Sequence, residues 1–390
     1  MKKQLLRAAV ASAIALLVTP SAFAQTRAAS GTPYKIGAIL SLSGQGADIS
    51  LPARQTFDLL VKRFNDAGGV QGHPIELVYR DDGGDESRAV TAAKDLASDP
   101  SILGILGPSL SGLALAVVPV AEEQQIPVIA LASSAKIINP VKKWVFKTPV
   151  PDTVAMAQIV HWASAQGWKN LATLTDSNAL GEGERQSVVD AAERQHVTVD
   201  NQEKYATADP STATQLTRIA HGSAQAIVQG GTDPGRTTVA KSALQVGLKL
   251  PVLTFGAAPT ADLLAAIGQG SAKWYLLTDA ITVQDQLPAS NPQKKLMVVF
   301  AADFKKTYGE PPTSHTSYAF DAFQIMSNAL MKGGSASRVA LRNAIEQTKG
   351  VRGMQGIFNM SPDDHLGIQD GGYILSVVDN GKLRVVSMNP

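Results

Sequence analysis

From Tyr34 onward, short apolar runs alternate with longer stretches whose apolar positions recur every three or four residues. Lys35 to Leu40 predicts a strand. A helix is predicted from about Pro52 to Ala67, because Phe57, Leu60, Val61 and Phe64 fall at i, i+3, i+4 and i+7. Asn65-Asp66-Ala67-Gly68-Gly69 stops that helix, and Ile75 to Tyr79 predicts the next strand. Further strands are expected at Ile102 to Leu106, Val128 to Ala130, Leu171 to Leu174, Ala226 to Gln229 and Val252 to Phe255. Helices are expected between them, at Leu113 to Gln124, Asp152 to Gln166, Glu182 to Gln195, Pro234 to Val246 and Asn291 to Lys306. Continuous apolar strands separated by amphipathic helices imply parallel sheet covered on both faces. The class is α/β.

The number of strand–helix units suits two sheets. Crossings between two lobes are expected near Val145 to Val150, Leu277 to Ala280 and Gln355 to Met360, with strands at Tyr373 to Val378 and Leu383 to Val386 returning to the second lobe. The first lobe is then 31–147 with 279–356, and the second 148–278 with 357–390. Three crossings at one face make a hinge with a cleft beside it.

The first residues add a destination. Lys2, Lys3 and Arg7 precede an apolar run from Ala8 to Val18, and Ala22-Phe23-Ala24 closes the segment. A basic start, a short apolar stretch and an A-x-A ending predict a secretory signal peptide at 1–24, with Gln25 to Ser30 as a frayed start. The run is shorter than the ~20 residues that span a bilayer. The chain contains no cysteine, which excludes disulfides, thiolate metal sites and thiol nucleophiles, and with them a lipidated cysteine anchor. The expected location is the periplasm. The formal charge of +2 becomes −1 once Lys2, Lys3 and Arg7 are removed. No basic stripe with interleaved aromatics points to nucleic acid.

Ligands of open parallel sheets bind beyond the carboxyl ends of the strands. Gly107-Pro108-Ser109-Leu110-Ser111-Gly112 leads from one such end into a helix, whose free N–H groups and positive dipole end attract an anion. Ser111 either caps that helix or gives its hydroxyl to a ligand carboxylate. Ala132-Ser133-Ser134-Ala135 follows the next strand and offers further hydroxyls and N–H groups.

Other constellations carry less. Asp81, Asp82 and Asp85 beside Gly83 and Gly84 read as solvated acids and a helix cap. His73, His161, His196, His221, His315 and His365 show no metal-ligand spacing. A nucleophile elbow needs Gly where Ser111 stands, and Gly44-Gln45-Gly46 lacks the third glycine of a dinucleotide loop, since Ile49 takes its place. No cofactor is implied, and the residues do not support catalysis. An exported α/β serine hydrolase and a ligand-sensing regulatory module stand as the alternatives.

Taken in order, several segments resemble the periplasmic leucine/isoleucine/valine-type substrate-binding proteins of ABC importers, over nearly the whole chain after the leader. They are Ile36-Gly37 with Leu42-Ser43-Gly44, Asn65 to Gly72, Asp81-Asp82, Ile105-Leu106-Gly107-Pro108 with Ser111, Pro119 to Glu122 and Ile126 to Ile129. Asp176 with Gly181, Gly230-Gly231, Tyr318 to Ala322, and Gly356 to Asn359 with His365 and Gly367 complete the set. The resemblance implies a type I fold: two Rossmann-like lobes with parallel sheets, joined by a three-stranded hinge, that close over a small solute. It implies permease subunits as partners, a monomer, and no enzymatic activity. It also implies that Ser111 and the segment Ala132, Ser133 and Ser134 hold the ligand's α-carboxylate, with Ser109 and Leu110 as further ligand-binding candidates. Amino-acid binders of the family place an acid for the ligand ammonium where this chain has Gly256-Ala257-Ala258. Leu180, Thr232 and Ile49 stand where aromatics are usual. An ammonium buried without a carboxylate is strongly disfavoured. The substitutions therefore suit an amine-free aromatic or oxo acid better than a branched-chain amino acid. Asp233 and Asp279 are candidates to replace the missing acid.

Overall fold

The computed structural model describes residues 28–256, 259–368 and 373–387. The predicted signal peptide at 1–24 lies outside the described residues, as do Ala257 and Ala258. Of the expected frayed start, the described part is tied down: Ala29 N–H donates to the Asn65 carbonyl and Ser30 N–H to that of Gly72.

The first half follows the expected alternation: β1 (Tyr34–Leu40), α1 (Ala47–Asp66), β2 (Ile75–Asp81), α2 (Glu86–Ser98), β3 (Ile102–Leu106), α3 (Ser111–Gln124), β4 (Val128–Ala130) and β5 (Val145–Lys147). These strands form one parallel sheet of order β2-β1-β3-β4-β5. α1 begins a turn and more before the predicted Pro52. The proline sits inside the helix, where its missing N–H deprives the Asp48 carbonyl of an intrahelical partner.

The chain then passes through α4 (Asp152–Ala165) into β6 (Asn170–Asp176), α5 (Ala179–Arg194), β7 (Thr198–Tyr205), α6 (Ala213–Ala220), β8 (Ala226–Gly230), α7 (Gly235–Gln245), β9 (Val252–Phe255), α8 (Ala261–Gln269) and β10 (Trp274–Asp279). It returns to the first sheet with α9 (Lys294–Tyr308), α10 (Ser314–Met331) and α11 (Arg338–Glu346), then makes the short pair β11 (Val351–Arg352) and β12 (Ile357–Phe358). β13 (Tyr373–Asp379) and β14 (Lys382–Ser387) close the second sheet, whose order is β14-β13-β10-β9-β8-β6-β7. In it only β13 runs against the other strands, pairing antiparallel with both β10 and β14.

Helices cover both faces of each sheet. α1 packs on α10, with Phe64 and Phe323 edge to face at 5.8 Å, and buries Phe57 and Leu60 beneath. Burying such side chains is what fixes a helix on a sheet, at roughly 2 kcal/mol for each large apolar group. Where the chain passes between sheets, α10 staples the crossings. Thr148 Oγ1 donates to the Tyr318 carbonyl at 3.0 Å, and Gln355 Nε2 donates to the Thr148 carbonyl at 3.0 Å. Asp321, fully buried, accepts from Met354 N–H, Gln355 N–H and Gln355 Nε2. The Tyr373 hydroxyl donates to the Val150 carbonyl at 3.0 Å. His365, by contrast, stacks on Phe146 at 4.1 Å and bonds the Val145 carbonyl, so the stretch after β12 lies against the first sheet. Among the described residues no helix is long and apolar enough to cross a membrane.

Candidate functional site

Two crevices face one another. β1 and β3 are neighbours whose connections leave to opposite sides, toward β2 and toward β4, which opens a gap at their carboxyl ends. β6 and β8 repeat the arrangement in the second sheet, with β7 on one side and β9 on the other. A cavity of about 440 Å³ lies between these ends.

The first wall is built by the exit from β3. Gly107 turns the chain with φ 93°, and a Cβ there would stand 2.1 Å from the Ile39 carbonyl oxygen, so only glycine fits. α3 starts at Ser111, and the capping position is Leu110, which has no acceptor to offer. α2, α5, α8 and α11 differ: Asp85, Asn178, Thr260 and Ser337 each accept a first-turn N–H. The start of α3 thus meets the cavity with uncapped N–H groups and the positive end of its dipole. Ser111 is not the cap. Its Oγ accepts Ser134 N–H at 3.3 Å, which leaves its own hydrogen to donate into the cavity. The Ser109 hydroxyl, nearly buried, bonds no described protein group.

Beneath this wall sits Lys147, fully buried. Its Nζ donates to the carbonyls of Ser133 at 2.6 Å and Ser134 at 3.3 Å. Asp152 N–H donates to the Ser133 carbonyl as well, and the Asp152 carboxyl accepts Ala135 N–H at 3.0 Å. Burial pushes Lys147 down to about 7, with Asp152 opposing that shift.

The second wall is charged. Arg236, the second residue of α7 and 2% exposed, donates from Nη2 to Asp233 Oδ2 at 2.6 Å. Asp233 Oδ1 takes the Thr237 hydroxyl at 2.9 Å, so both Asp233 oxygens are engaged. Burial works against ionisation of Asp233, but the guanidinium outweighs it and holds the carboxyl below its usual range. Glu184 accepts Gly231 N–H at 2.7 Å. Burial and the nearby Asp152 carboxyl push it well above the usual range. His315, from the start of α10, is pushed down to about 3 by burial and by Arg236, and so stays uncharged.

The structure brings together Ile49, Ser109, Leu110, Ser111, Ser133, Leu180, Thr232 and Gly256 around the cavity. Ala132 and Ser134 are buried behind it rather than among its lining residues, and the Ser134 hydroxyl bonds no described protein group. Asp233 reaches the cavity already paired. Asp279 is buried and accepts the Tyr318 hydroxyl at 2.7 Å. Asp82, expected in water, is buried and accepts from Ser41 Oγ and Gly84 N–H, while Asp85 caps α2 as expected. Sequence reasoning missed Arg236, Glu184 and His315. One signal was available: a cation in the first turn of a helix opposes the dipole, so Pro234-Gly235-Arg236 stands against propensity.

A profile of the family described as periplasmic binding protein matches residues 33–382. A substrate-binding protein of a chemotactic signal transduction system from Halobacterium salinarum is 38% identical over 88 residues, covering 22% of this chain and 21% of that protein. A Leu/Ile/Val-binding protein homolog from Brucella melitensis is 23% identical over 343 residues, covering 86% of this chain and 90% of that protein. The crystal structure of an extracellular ligand-binding receptor from Rhodopseudomonas palustris superposes with a TM-score of 0.83 at 24% identity, covering 91% of this chain and all of that one.

Proposed function

Since the chain belongs to the periplasmic binding protein family, we propose that this solute-binding protein captures a small, amine-free carboxylate outside the cytoplasmic membrane and delivers it to the permease of an ABC importer. It is a binding protein and not an enzyme. The carboxylate sits at the start of α3, held by first-turn N–H groups and by Ser109, Ser111 and Ser133, with Ser134 and Ala132 shaping the loop from behind. Ile49, Leu110 and Leu180 give it apolar sides, and Thr232 and Gly256 meet its far end. The leader at 1–24 directs export, and the protein works as a monomer. The lobes divide as 31–147 with 279–356 and 148–278 with 357–390, except that His365 ties the stretch after β12 to the first lobe, and they close about the crossings that Tyr318 and Gln355 staple.

The observation that supports this most is that the uncapped helix start and Ser111 open on one cavity, which Ser109 also lines. A catalytic serine would need a base, but the Ser111 hydroxyl oxygen is bonded to a backbone N–H. The test is calorimetric titration of aromatic and aliphatic carboxylates, in parallel with leucine, on the wild type and on Ser109→Ala/Ser111→Ala. Carboxylate binding weakened by about 2–3 kcal/mol in the variant supports the site, as expected from charge-assisted hydrogen bonds. Unchanged affinity retires it.

A further inference from the structure

We infer that Lys147 positions the carboxylate site from beneath, aiming the Ser111 hydroxyl and supplying a positive charge, so that capture of the anion draws a proton onto the protein. This rests on the carboxylate reading above and adds a group that lies outside the cavity lining. Lys147 ends β5 at the carboxyl edge of the first sheet and is fully buried. Burying an ammonium is costly unless it is paired. Here both hydrogen bonds from Nζ go to neutral oxygens, the carbonyls of Ser133 and Ser134. Among the described residues no carboxylate forms an ion pair with it. Asp152 attracts it from farther away, and Asp152 Oδ1 is already engaged by the N–H groups of Ala135 and Thr153. The bonds then lead to the start of α3. Ser133 turns its carbonyl to the lysine, and the N–H of the same peptide reaches Ser111 Oγ at 3.3 Å. With a lone pair so engaged, that hydroxyl keeps its hydrogen for a ligand. Asp152 N–H is a second donor to the Ser133 carbonyl, so losing the lysine loosens the loop without freeing it.

The other charges nearby have different partners. Lys136, beside the loop, acts on Asp152, and Glu184 of α5 is pushed up by burial and by the same Asp152. Glu122 of α3 accepts Trp144 N–H just ahead of β5. Glu86 approaches α3 from α2, where a Cβ on Gly112 would stand 2.9 Å from its Oε1. Arg236 is on the second wall beside Asp233. His365 accepts Lys147 N–H on its carbonyl, while its ring stacks on Phe146 and meets Glu346. Asp321 of α10 connects to Thr148 through Gln355. Burial lowers Lys147 to about 7 against the pull of Asp152. A carboxylate bound at the start of α3 adds a second negative charge and raises it again. By linkage, the anion then binds more tightly below that range than above it.

The experiment is isothermal titration of the full chain near pH 8, above the titration of Lys147 in the free protein. It is run in phosphate and in Tris, whose ionisation enthalpies differ, so that the difference in heat counts the protons taken up. The probe is whichever of benzoate, phenylpyruvate and pyruvate binds most tightly. The proteins are the wild type, Ser111→Ala, Lys147→Met, their double variant, and Asp152→Asn. The last keeps an oxygen for Ala135 N–H and tests the same pair should the melting temperature show that Lys147→Met does not fold. The wild type should take up at least about a third of a proton per ligand. Lys147→Met should abolish that uptake and weaken binding about tenfold, but only about twofold where Ser111 is already Ala. Asp152→Asn removes the charge that supports the ammonium, so uptake should move to lower pH. The inference is overturned if the wild type takes up no proton, if uptake survives Lys147→Met, or if Asp152→Asn leaves its pH range unmoved. It is overturned equally if Lys147→Met costs the same with and without Ser111. Should none of the three acids bind, or Ser111→Ala alone leave affinity unchanged, the carboxylate reading falls and takes this inference with it.

Discussion

On the first wall of the cleft the polar groups belong to a helix start that no side chain caps. On the second they belong to an ion pair folded against a glycine. The first wall is rigid because backbone makes it: N–H groups are aimed by α3, and the serine loop is clamped from below by Lys147 and Asp152. The second is made of long side chains whose placement depends on what surrounds them, Thr237 beside Asp233 and Gly256 beneath Arg236. The difference teaches where specificity can change. A backbone anchor suits any small carboxylate, whereas a wall of long side chains can be reshaped by single substitutions.

The strongest way to break this comparison is Gly256→Asp, which puts an acid where the amino-acid binders of the resembling family have one. The new Cβ meets Arg236 Nη1 and forces an L residue to φ 144°. Carboxylate affinity is expected to fall at least a hundredfold, about 3 kcal/mol, by competition titration, because strain and a displaced guanidinium act together. Retained affinity would mean that the second wall does not depend on Gly256.

pH sharpens it next, by separating the walls from the seam that joins them. Burial pushes Asp279 up to about 6 and Asp321 up to about 7. The folded protein then holds protons that the unfolded chain releases near pH 4. Stability is fullest below that and falls as pH rises toward about 7, by a few kcal/mol. Lys147, lowered to about 7, acts in the opposite sense: its contribution recovers between pH 7 and the ordinary lysine range. Denaturant titrations should show a stability minimum near neutral pH, and Asp321→Asn should flatten the falling limb. An identical profile in that variant would place the titrating groups elsewhere.

The smallest effect tests the contrast among helix starts. Ser337→Ala removes the cap of α11, where Ser337 Oγ accepts Ala340 N–H at 3.1 Å. It should cost about 1 kcal/mol of stability and leave ligand affinity unchanged. A loss of affinity would show that the capping of α11 is coupled to the site.

Much of the architecture was legible because its strands are continuously apolar. β3, β4 and β9 begin and end where their hydrophobic runs do. β7 was not, because Thr198 to Tyr205 is an edge strand that is mostly polar and half open to solvent, and its alternation resembles a loop. Likewise α5 was expected from Glu182, since Asn178 was not recognised as its cap. The first wall could be read from Gly107 to Gly112 because a glycine exit followed by serines at a strand end has a direct chemical meaning. The family named by resemblance is the one whose profile matches. The second wall could not be read. Whether Arg236 faces water or the cavity depends on Asp233 and Gly256 meeting in space, and nothing in one-dimensional order says that they do.

The trans peptide between Ser133 and Ser134 sends its C=O and N–H in opposite directions. Lys147 holds the oxygen down, so the hydrogen must rise toward Ser111. A residue that touches no solute thereby decides which way a hydroxyl proton points at the solute's doorstep. Grip in this protein starts one layer deeper than contact, with a buried ammonium acting through a single amide plane.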